Sequence, residues 1–555
     1  MGQNKKGGFI MQAGILAAAG IIVRIIGILY RSPLVAIIGD EGNGYYNTAY
    51  NIYTIILLIS SYSIPAAISK VIAARLAVHE YKNAHRIFLC SFIYVIIVGG
   101  IGSLVCFFGA GWLVGVSSAM VLRVFAPTIF LSGLLGVLRG YFQAHKTMLQ
   151  TSFSQIIEQI LNAVVSILAA YLLMQMVVGK DATTQAIYGA IGSALGTGSG
   201  VLIALIFMWM IYLLNRPIFQ KRLQSDQSTS LLSYGEIFKI IILMVTPVVL
   251  STFIYNLNTA SNLKIYQEVM QIFKNYTEEQ ATTGYGLFSG KAMQIINIPI
   301  ALASAMSAAV IPTIASTFEM QAYGETNRKI AQAIKVTMLI SIPSAVGLFV
   351  LAKPVVMLLY PQRATVDMVA SLIRVLSVTV VFYGLSTLTN AVLQGIGKVN
   401  LPVVHAAVSW LLQSAVLLVL LFFTDFNLYS LCIATVVYSF LMCLLNGISV
   451  RKHLGYHQEM MRTFLLPVVS SFWMGLAAFG VYWGLAYLIR LIDKDPQMEI
   501  AGINNVLCLV PAIAIAAIFY FVMILKMGVV TKKELKKMPK GTTLLRVAVK
   551  LRVLK

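Results

Sequence analysis

Two arginines, Arg24 and Arg31, stand inside the apolar stretch FIMQAGILAAAGIIVRIIGILYRSPLVAII, residues 9–38. A charge at mid-bilayer depth costs at least about 2.5–3.5 kcal/mol on insertion scales, so a cation there needs a compensating interaction. The two are seven residues apart. That spacing is two helical turns, so they share one face, on the order of 10 Å apart along the axis. Gly20 and Gly27 lie near the same face. A small, cationic stripe on a membrane helix suits a cavity that receives an anion. A guanidinium presents a two-pronged donor fork matched to phosphate or carboxylate.

Other charges fall within apolar runs. Arg123, Lys353 and Arg374 lie at expected outer ends, Lys239 at an inner end and Lys335 about two turns in; all can reach the interface by extension. Lys70 and Lys291 lie deeper, Lys70 nearer the inner side and Lys291 about two turns from the outer end of its span. The acid well within a span is Glu158, a candidate coupling group or ion-pair partner for Arg24 or Lys70. One acid cannot neutralise Arg24, Arg31, Lys70 and Lys291. The residues left over are candidates for binding an anion, with lysine acting as a point charge.

Polar stripes accompany the cations. Asn47, Asn51, Thr54 and Ser61 share one helical face, as do Ser251, Tyr255, Asn258 and Asn262. Asn47, Asn51, Asn258 and Asn262 are candidate ligands for sugar hydroxyls in a hydrated cavity; interhelical hydrogen bonding is the alternative use of such faces. Pro65, Pro247, Pro299 and Pro312 are candidate kinks. The chain contains no GxxxxGK[ST] loop, no HExxH and no Cys/His cluster. These absences argue against an ATPase, a metal site, a cofactor and catalysis, and leave a passive facilitator or a transporter driven by an ion gradient or the membrane potential. The coupling ion is not specified by the sequence.

The elements that must position these residues are membrane helices. Of 555 residues, 59% are hydrophobic and 11% charged; soluble domains carry about 25% charged residues. Apolar runs of spanning length recur. They predict an all-α polytopic protein with about fourteen spans, near 9–38, 45–74, 87–114, 119–141, 149–177, 186–213, 235–262, 285–318, 329–352, 366–394, 400–423, 428–449, 463–489 and 501–527. Lys353-Pro354 interrupts the ninth apolar run. Cys90, Cys106, Cys432, Cys443 and Cys508 sit in apolar runs without CxxC spacing and read as core or lipid-facing residues. No cleavable signal is expected, because the first apolar segment is too long for one. Nor is myristoylation, since the sixth position lacks Ser or Thr.

The net charge of +22 would suggest nucleic acid in a soluble protein. Here it follows the positive-inside rule. With the N-terminus cytoplasmic, Lys5, Lys6, Arg75, Lys82, Arg86, Arg139, Lys146, Arg216, Lys221, Arg222, Arg328, Lys329, Lys398, Arg451, Lys452, Arg462 and the terminal basic run all fall inside. Lys180, Lys264, Lys274, Arg363, Arg490 and Lys494 fall outside. Both termini are therefore expected in the cytoplasm, with no nucleic-acid partner. The tail after 527 reads as a solvated segment or as an interfacial helix on anionic lipid.

An internal repeat orders the spans. RVFAPTIFLSGLLGVLRGYFQAHKTMLQ from Arg123 is echoed by RVLSVTVVFYGLSTLTNAVLQGIGKVNLP from Arg374. Gly133 matches Gly384, and Gln143–Lys146 matches Gln394–Lys398. SIPAAIS around Pro65 echoes VIPTIAS around Pro312. The repeat predicts two parallel six-helix lobes, 1–214 and 237–450, joined by a cytoplasmic linker at 215–236. Two further helices at 451–527 and a basic tail at 528–555 follow. A cleft between the lobes would gather Arg24, Arg31 and Lys291 around one anion.

The segments VRIIGILYRSPLVAIIGDEGNGYYNTAYNIY, SGKAMQIINIPIALASAMSAAVIPTIAS and NAVLQGIGKVNLP resemble the SpoVB/YtgP-type polysaccharide-biosynthesis transporters. These belong to the multidrug/oligosaccharidyl-lipid/polysaccharide (MOP) exporter superfamily, and lipid II flippases of the MurJ kind are the nearest in length and opening. The resemblance implies a MOP/MATE-like fold and transfer of an undecaprenyl-pyrophosphate-linked saccharide between leaflets of the plasma membrane by alternating access. Lipid II is the leading cargo; teichoic, capsular or spore-cortex precursors are the alternatives. It also implies a monomer whose partners are its lipid-linked substrate, membrane lipids and the cell-wall synthesis machinery. The family's first-helix motif R-x-x-G-x-x-R corresponds to Arg24, Gly27 and Arg31, with one extra residue before Arg31. A helix 8 arginine of the family is not matched in place; Lys291 is the nearest cation. The helix 2 arginine has no counterpart. A drug/cation antiporter would instead require an acidic cavity, and a membrane glycosyltransferase or polymerase catalytic acids on loops at one membrane face; a scaffold for cell-wall or spore-coat synthesis without transport is the remaining alternative.

Overall fold

The computed structural model describes residues 3–62, 64–145, 147–226, 231–360, 362–492 and 500–530. Side chains before residue 19, and those of Ser61, Pro247, Ser251, Tyr255 and Pro312, lie outside the described residues, as does the basic tail from 531 onward. The described chain is helical and contains no strand. Lipid offers no partner for backbone N–H and C=O groups, so apolar runs of this length close their hydrogen bonds internally. Two compact units divide at Gly286 and Leu287.

The first unit holds α1 (Gln3–Leu57), α2 (Ile64–Ala77), α3 (Tyr81–Phe108), α4 (Ala110–Val114), α5 (Val116–Ala144), α6 (Met148–Met176), α7 (Ala182–Gln224), α8 (Tyr234–Ile272) and α9 (Glu278–Gly286). A π-helical turn, Leu58–Tyr62, joins α1 to α2. The second unit begins with another π-helical turn, Leu287–Ala292. It continues through α10 (Met293–Glu319), α11 (Tyr323–Val350), α12 (Ala352–Leu359), α13 (Val366–Leu376), α14 (Thr379–Gly395), α15 (Asn400–Phe423), α16 (Leu428–Leu454), α17 (Leu466–Ile492) and α18 (Gly502–Lys526).

Eleven described helices are long and apolar enough to cross a membrane, or twelve when the bent pair 363–376 and 379–395 counts as one span. The expected fourteen are not reached on length and composition. The expected first and second spans run together through α1, broken at one residue, Gly39, whose φ of 71° and ψ of −176° suit glycine. The expected seventh span lies in α8, some of whose side chains between 244 and 255 lie outside the described residues. The break foreseen at Lys353-Pro354 is present, with α11 ending at Val350 and α12 starting at Ala352. The two repeat-related segments differ in form. Helix α5 runs unbroken, whereas its counterpart bends by 45° between α13 and α14.

Helices α6 and α7 meet most closely. Gly192, Gly196 and Gly200 form a stripe at four-residue spacing on α7. A Cβ at these positions would collide with the α6 backbone at Ala170, Ser166 and Glu158 respectively. Small residues at this spacing let membrane helices approach until their backbones touch. Helix α1 packs on the same helix through Tyr30, Leu34 and Ile38 against Ala163 and Ala170. Thus the backbone of α6 is held from two sides.

The expected linker is partly helical, because α7 continues to Gln224. Its end carries Lys221 and Arg222, favourable at a helix C-terminus. The residues after it are strapped to α3. Leu232 N–H donates to Asn83 Oδ1 at 3.0 Å, and Arg86 Nη1 donates to the Leu232 carbonyl at 2.9 Å. Arg86 also lies 5.3 Å from the centre of the Tyr234 ring. Ser233 and Glu236 then cap α8 reciprocally.

In the second unit, α17 and α18 are tied to the other helices by buried polar side chains. Tyr482 OH donates to Asn505 Oδ1 at 2.8 Å, and Asn505 Nδ2 donates to the Pro354 carbonyl at 2.9 Å. Tyr520 OH reaches the Leu339 carbonyl at 3.1 Å. All five cysteines are free, four of them buried.

Candidate functional site

Arg24, Gly27 and Arg31 project from one face of α1. A Cβ at Gly27 would stand 3.3 Å from Gln159 Nε2, so this face looks onto α6. Arg24 is exposed and Arg31 half-buried. The Arg31 guanidinium lies over the Tyr50 ring, 5.8 Å from its centre. Cation–π contact of this kind holds a charge in place without neutralising it. Tyr50 stacks on Tyr46 at 5.6 Å, and Tyr53 stacks on Phe125 at 4.6 Å. These aromatic residues form one cluster, with Tyr50 also against Phe125 at 5.9 Å. Periods of three and four place Tyr46, Tyr50 and Tyr53 on one side of α1 beyond the Gly39 break.

The interior acid Glu158 is bound to Arg139. Arg139 Nη2 meets Glu158 Oε2 at 2.7 Å, and Arg139 Nε donates to Ser154 Oγ at 2.9 Å. The sequence placed Arg139 among the loop cations; the structure places it inside α5, turned toward α6. Gln159, the residue after Glu158, abuts Gly27 between Arg24 and Arg31, so the Arg139–Glu158 pair stands on α6 beside the arginine face of α1. Lys70 is exposed on α2.

The asparagines divide by use. Asn47 is buried, and its Nδ2 bonds both the carbonyl and the side-chain oxygen of Asn43 at 2.7 Å. That is a structural employment. Asn51 Nδ2 and Asn258 Oδ1 are buried and have no hydrogen-bond partner among the described residues. A buried orphan amide costs about 1–3 kcal/mol, which a bound polar ligand or water would recover. Asn262 is buried on α8. Nearby on the same helix, Gln267 Nε2 donates to Thr282 Oγ1 at 3.1 Å and lies 3.5 Å from Thr48 Oγ1.

Lys291 belongs to the second unit. It lies in the π-helical turn before α10 and is 1% exposed. Its Nζ donates to Thr365 Oγ1 at 3.2 Å and Gln362 Oε1 at 3.4 Å, and sits 5.2 Å from the centre of the Tyr360 ring. Tyr360 OH in turn donates to the Gly290 carbonyl at 3.4 Å. A second polar network joins α14, α15 and α16. Asn446 bonds Asn390 and His405, each at 2.7 Å, and His405 reaches Ser449 at 3.1 Å. Sequence reasoning missed it, because single polar residues on three separate helices leave no local pattern. No group of three or more His, Cys, Asp or Glu that could hold a metal occurs among the described residues.

Residues 77–489 match the family model described as lipid II flippase MurJ. The chain is 24% identical over 527 residues to the lipid II flippase MurJ of Bacillus subtilis, covering 88% of this chain and 90% of that protein. It is 23% identical over 531 residues to stage V sporulation protein B of the same organism, covering 95% and 96%. Among solved structures, a MATE family multidrug resistance transporter of the MOP superfamily, inward-facing, superposes with a TM-score of 0.67 at 17% identity, covering 80% of this chain and 98% of that one. The lipid II flippase MurJ in an inward closed conformation gives 0.61 at 14% identity, covering 92% and 97%. At these identities the structural matches establish the fold, which is the MOP fold expected from the sequence.

Proposed function

The chain belongs to the lipid II flippase MurJ family, and from that premise we propose that it moves an undecaprenyl-pyrophosphate-linked saccharide, with lipid II the leading cargo, from the inner to the outer leaflet of the plasma membrane. It is a multi-pass membrane protein and a transporter, not an enzyme. The observation that carries the reading is the placement of Arg31 over Tyr50, on the helix face shared with Arg24, while the interior acid Glu158 is engaged by Arg139. Positive charge thus exceeds negative charge in the polar interior of the first unit. A pyrophosphate is a ligand of matching charge, and guanidinium groups recognise it by paired hydrogen bonds.

In this reading Arg24 and Arg31 hold the pyrophosphate. Lys291 of the second unit is a further cation for the same ligand class, and Lys70 on the inner side attracts the anion. Asn51 and Asn258, with their orphaned amide atoms, bond the saccharide; Asn47 and Asn262 line the same stripes. The polyprenyl tail stays in lipid throughout. The distribution of Lys and Arg supports a cytoplasmic placement of both termini. Alternating access, driven by an ion gradient or the membrane potential without a cofactor, carries the headgroup across. A cationic interior disfavours cationic drugs as cargo.

The test is reconstitution of the full chain in liposomes loaded with fluorescent lipid II. Exchange of the headgroup between leaflets, read by quenching with a membrane-impermeant reagent, should depend on the protein. Equal exchange in protein-free liposomes and proteoliposomes refutes the reading.

A further inference from the structure

The pairing of Arg139 with Glu158 has two features of an exchangeable contact rather than of a structural lock. The pair is not sealed: the Arg139 side chain is 14% exposed and that of Glu158 30%. It also engages only part of the guanidinium. Nε is held by Ser154 and Nη2 by Glu158, while Nη1 makes no hydrogen bond among the described residues. The arginine is thereby oriented by one neighbour, Ser154, and charge-balanced by another.

The position of the pair gives this meaning. Glu158 lies one residue from Gln159, which abuts Gly27 on the arginine face of α1. Its backbone carbonyl is where a Cβ at Gly200 of α7 would collide, so the acid cannot withdraw by sliding α6. Arg139 sits five residues from the end of α5, which is about 7.5 Å along the axis. The pair is thus on the side that the charge distribution assigns to the cytoplasm, where a headgroup would enter.

Resting on the function proposed above, we propose that Arg139 is a further pyrophosphate-binding residue and that Glu158 is its exchangeable counterion, standing in for the anion while the site is empty. A carboxylate presents one negative charge to a guanidinium. A pyrophosphate presents more charge and more acceptor oxygens, so it displaces the carboxylate and takes up Nη1 as well. The displaced acid repels the headgroup, which keeps binding weak enough for release on the far side. Removal of the acid alone therefore tightens binding, and removal of the arginine alone loosens it.

The experiment measures binding of farnesyl pyrophosphate to the purified full chain, with farnesol as the uncharged control, beside thermal melting of each variant. Glu158→Gln should bind the pyrophosphate about tenfold more tightly, a difference of about 1.4 kcal/mol. Arg139→Gln should bind it about tenfold more weakly. The double variant Arg139→Gln/Glu158→Gln buries no unpaired charge and should melt near the unmodified protein, yet bind as weakly as Arg139→Gln. Farnesol binding should be the same in all. The inference is overturned if Glu158→Gln weakens binding, or if the double variant binds like the unmodified chain, since either outcome makes the pair structural. If the unmodified chain does not distinguish farnesyl pyrophosphate from farnesol, this inference and the proposed function both fail; if it does and only the variants disagree, the inference alone fails.

Discussion

Arg139 on α5 and Glu158 on α6 are joined by a 2.7 Å ion pair in the interior of the first unit. The consequence reaches beyond the two residues. Glu158, the interior acid that could have paired with Arg24 or Lys70, is engaged by Arg139 instead. Removing one member of a partly buried pair costs more than removing both, because the survivor keeps its desolvation penalty.

The contact between Arg31 and Tyr50 makes a prediction about placement. Tyr50→Leu preserves apolar volume but removes the ring face beneath the guanidinium. Cation–π contacts contribute about 0.5–2 kcal/mol. The variant should bind farnesyl pyrophosphate roughly two- to thirtyfold more weakly. Tyr50→Phe keeps the ring and should lose little. Equal loss in both variants would assign the effect to the hydroxyl instead.

Lys291 is held among Tyr360, Gln362 and Thr365 in the second unit. Lys291→Glu should leave the lipid-linked precursor on the inner leaflet of cells that depend on this chain. Lys291→Gln separates charge from packing: it can still bond Thr365, and should melt within about 1–3 kcal/mol of the unmodified protein while transport falls. An unchanged leaflet distribution in both variants counts against a role for the charge.

The glycine stripe on α7 supports the site through packing. Gly196→Leu forces a side chain into the α6 backbone at Ser166. Overpacking costs about 1–3 kcal/mol, and more where backbone blocks relaxation. Lower yield and a melting point several degrees down are expected. Gly100→Leu, at a position with open space around its Cβ, is the control and should melt like the unmodified chain.

What the sequence disclosed and what it hid follow from the reach of each signal. Apolar runs report burial in lipid directly, so the helical class and most boundaries were legible in the sequence. The boundary after Ile38 was legible, but its form was not, because a single residue with positive φ, Gly39, replaces the polar loop expected there. Arg24 and Arg31 were visible because charge in an apolar run is conspicuous. Arg139 was not, because it stands near a helix end and resembles a positive-inside residue; only the fold turns it toward Glu158. The tyrosine cluster read as ordinary aromatic content until Arg31 was found over one ring. Networks such as Asn390, His405 and Asn446 depend on three helices meeting, and local sequence carries no trace of that.

The central claim is that the cations on α1 carry an anionic lipid-linked headgroup across the membrane. Complementation of a lipid II flippase depletion strain by this chain, compared with its Arg24→Ala variant at equal membrane insertion, tests it most directly. The account predicts growth and normal exposure of lipid II on the outer leaflet with the unmodified chain, and neither with Arg24→Ala. Growth that is equal with both chains would contradict it.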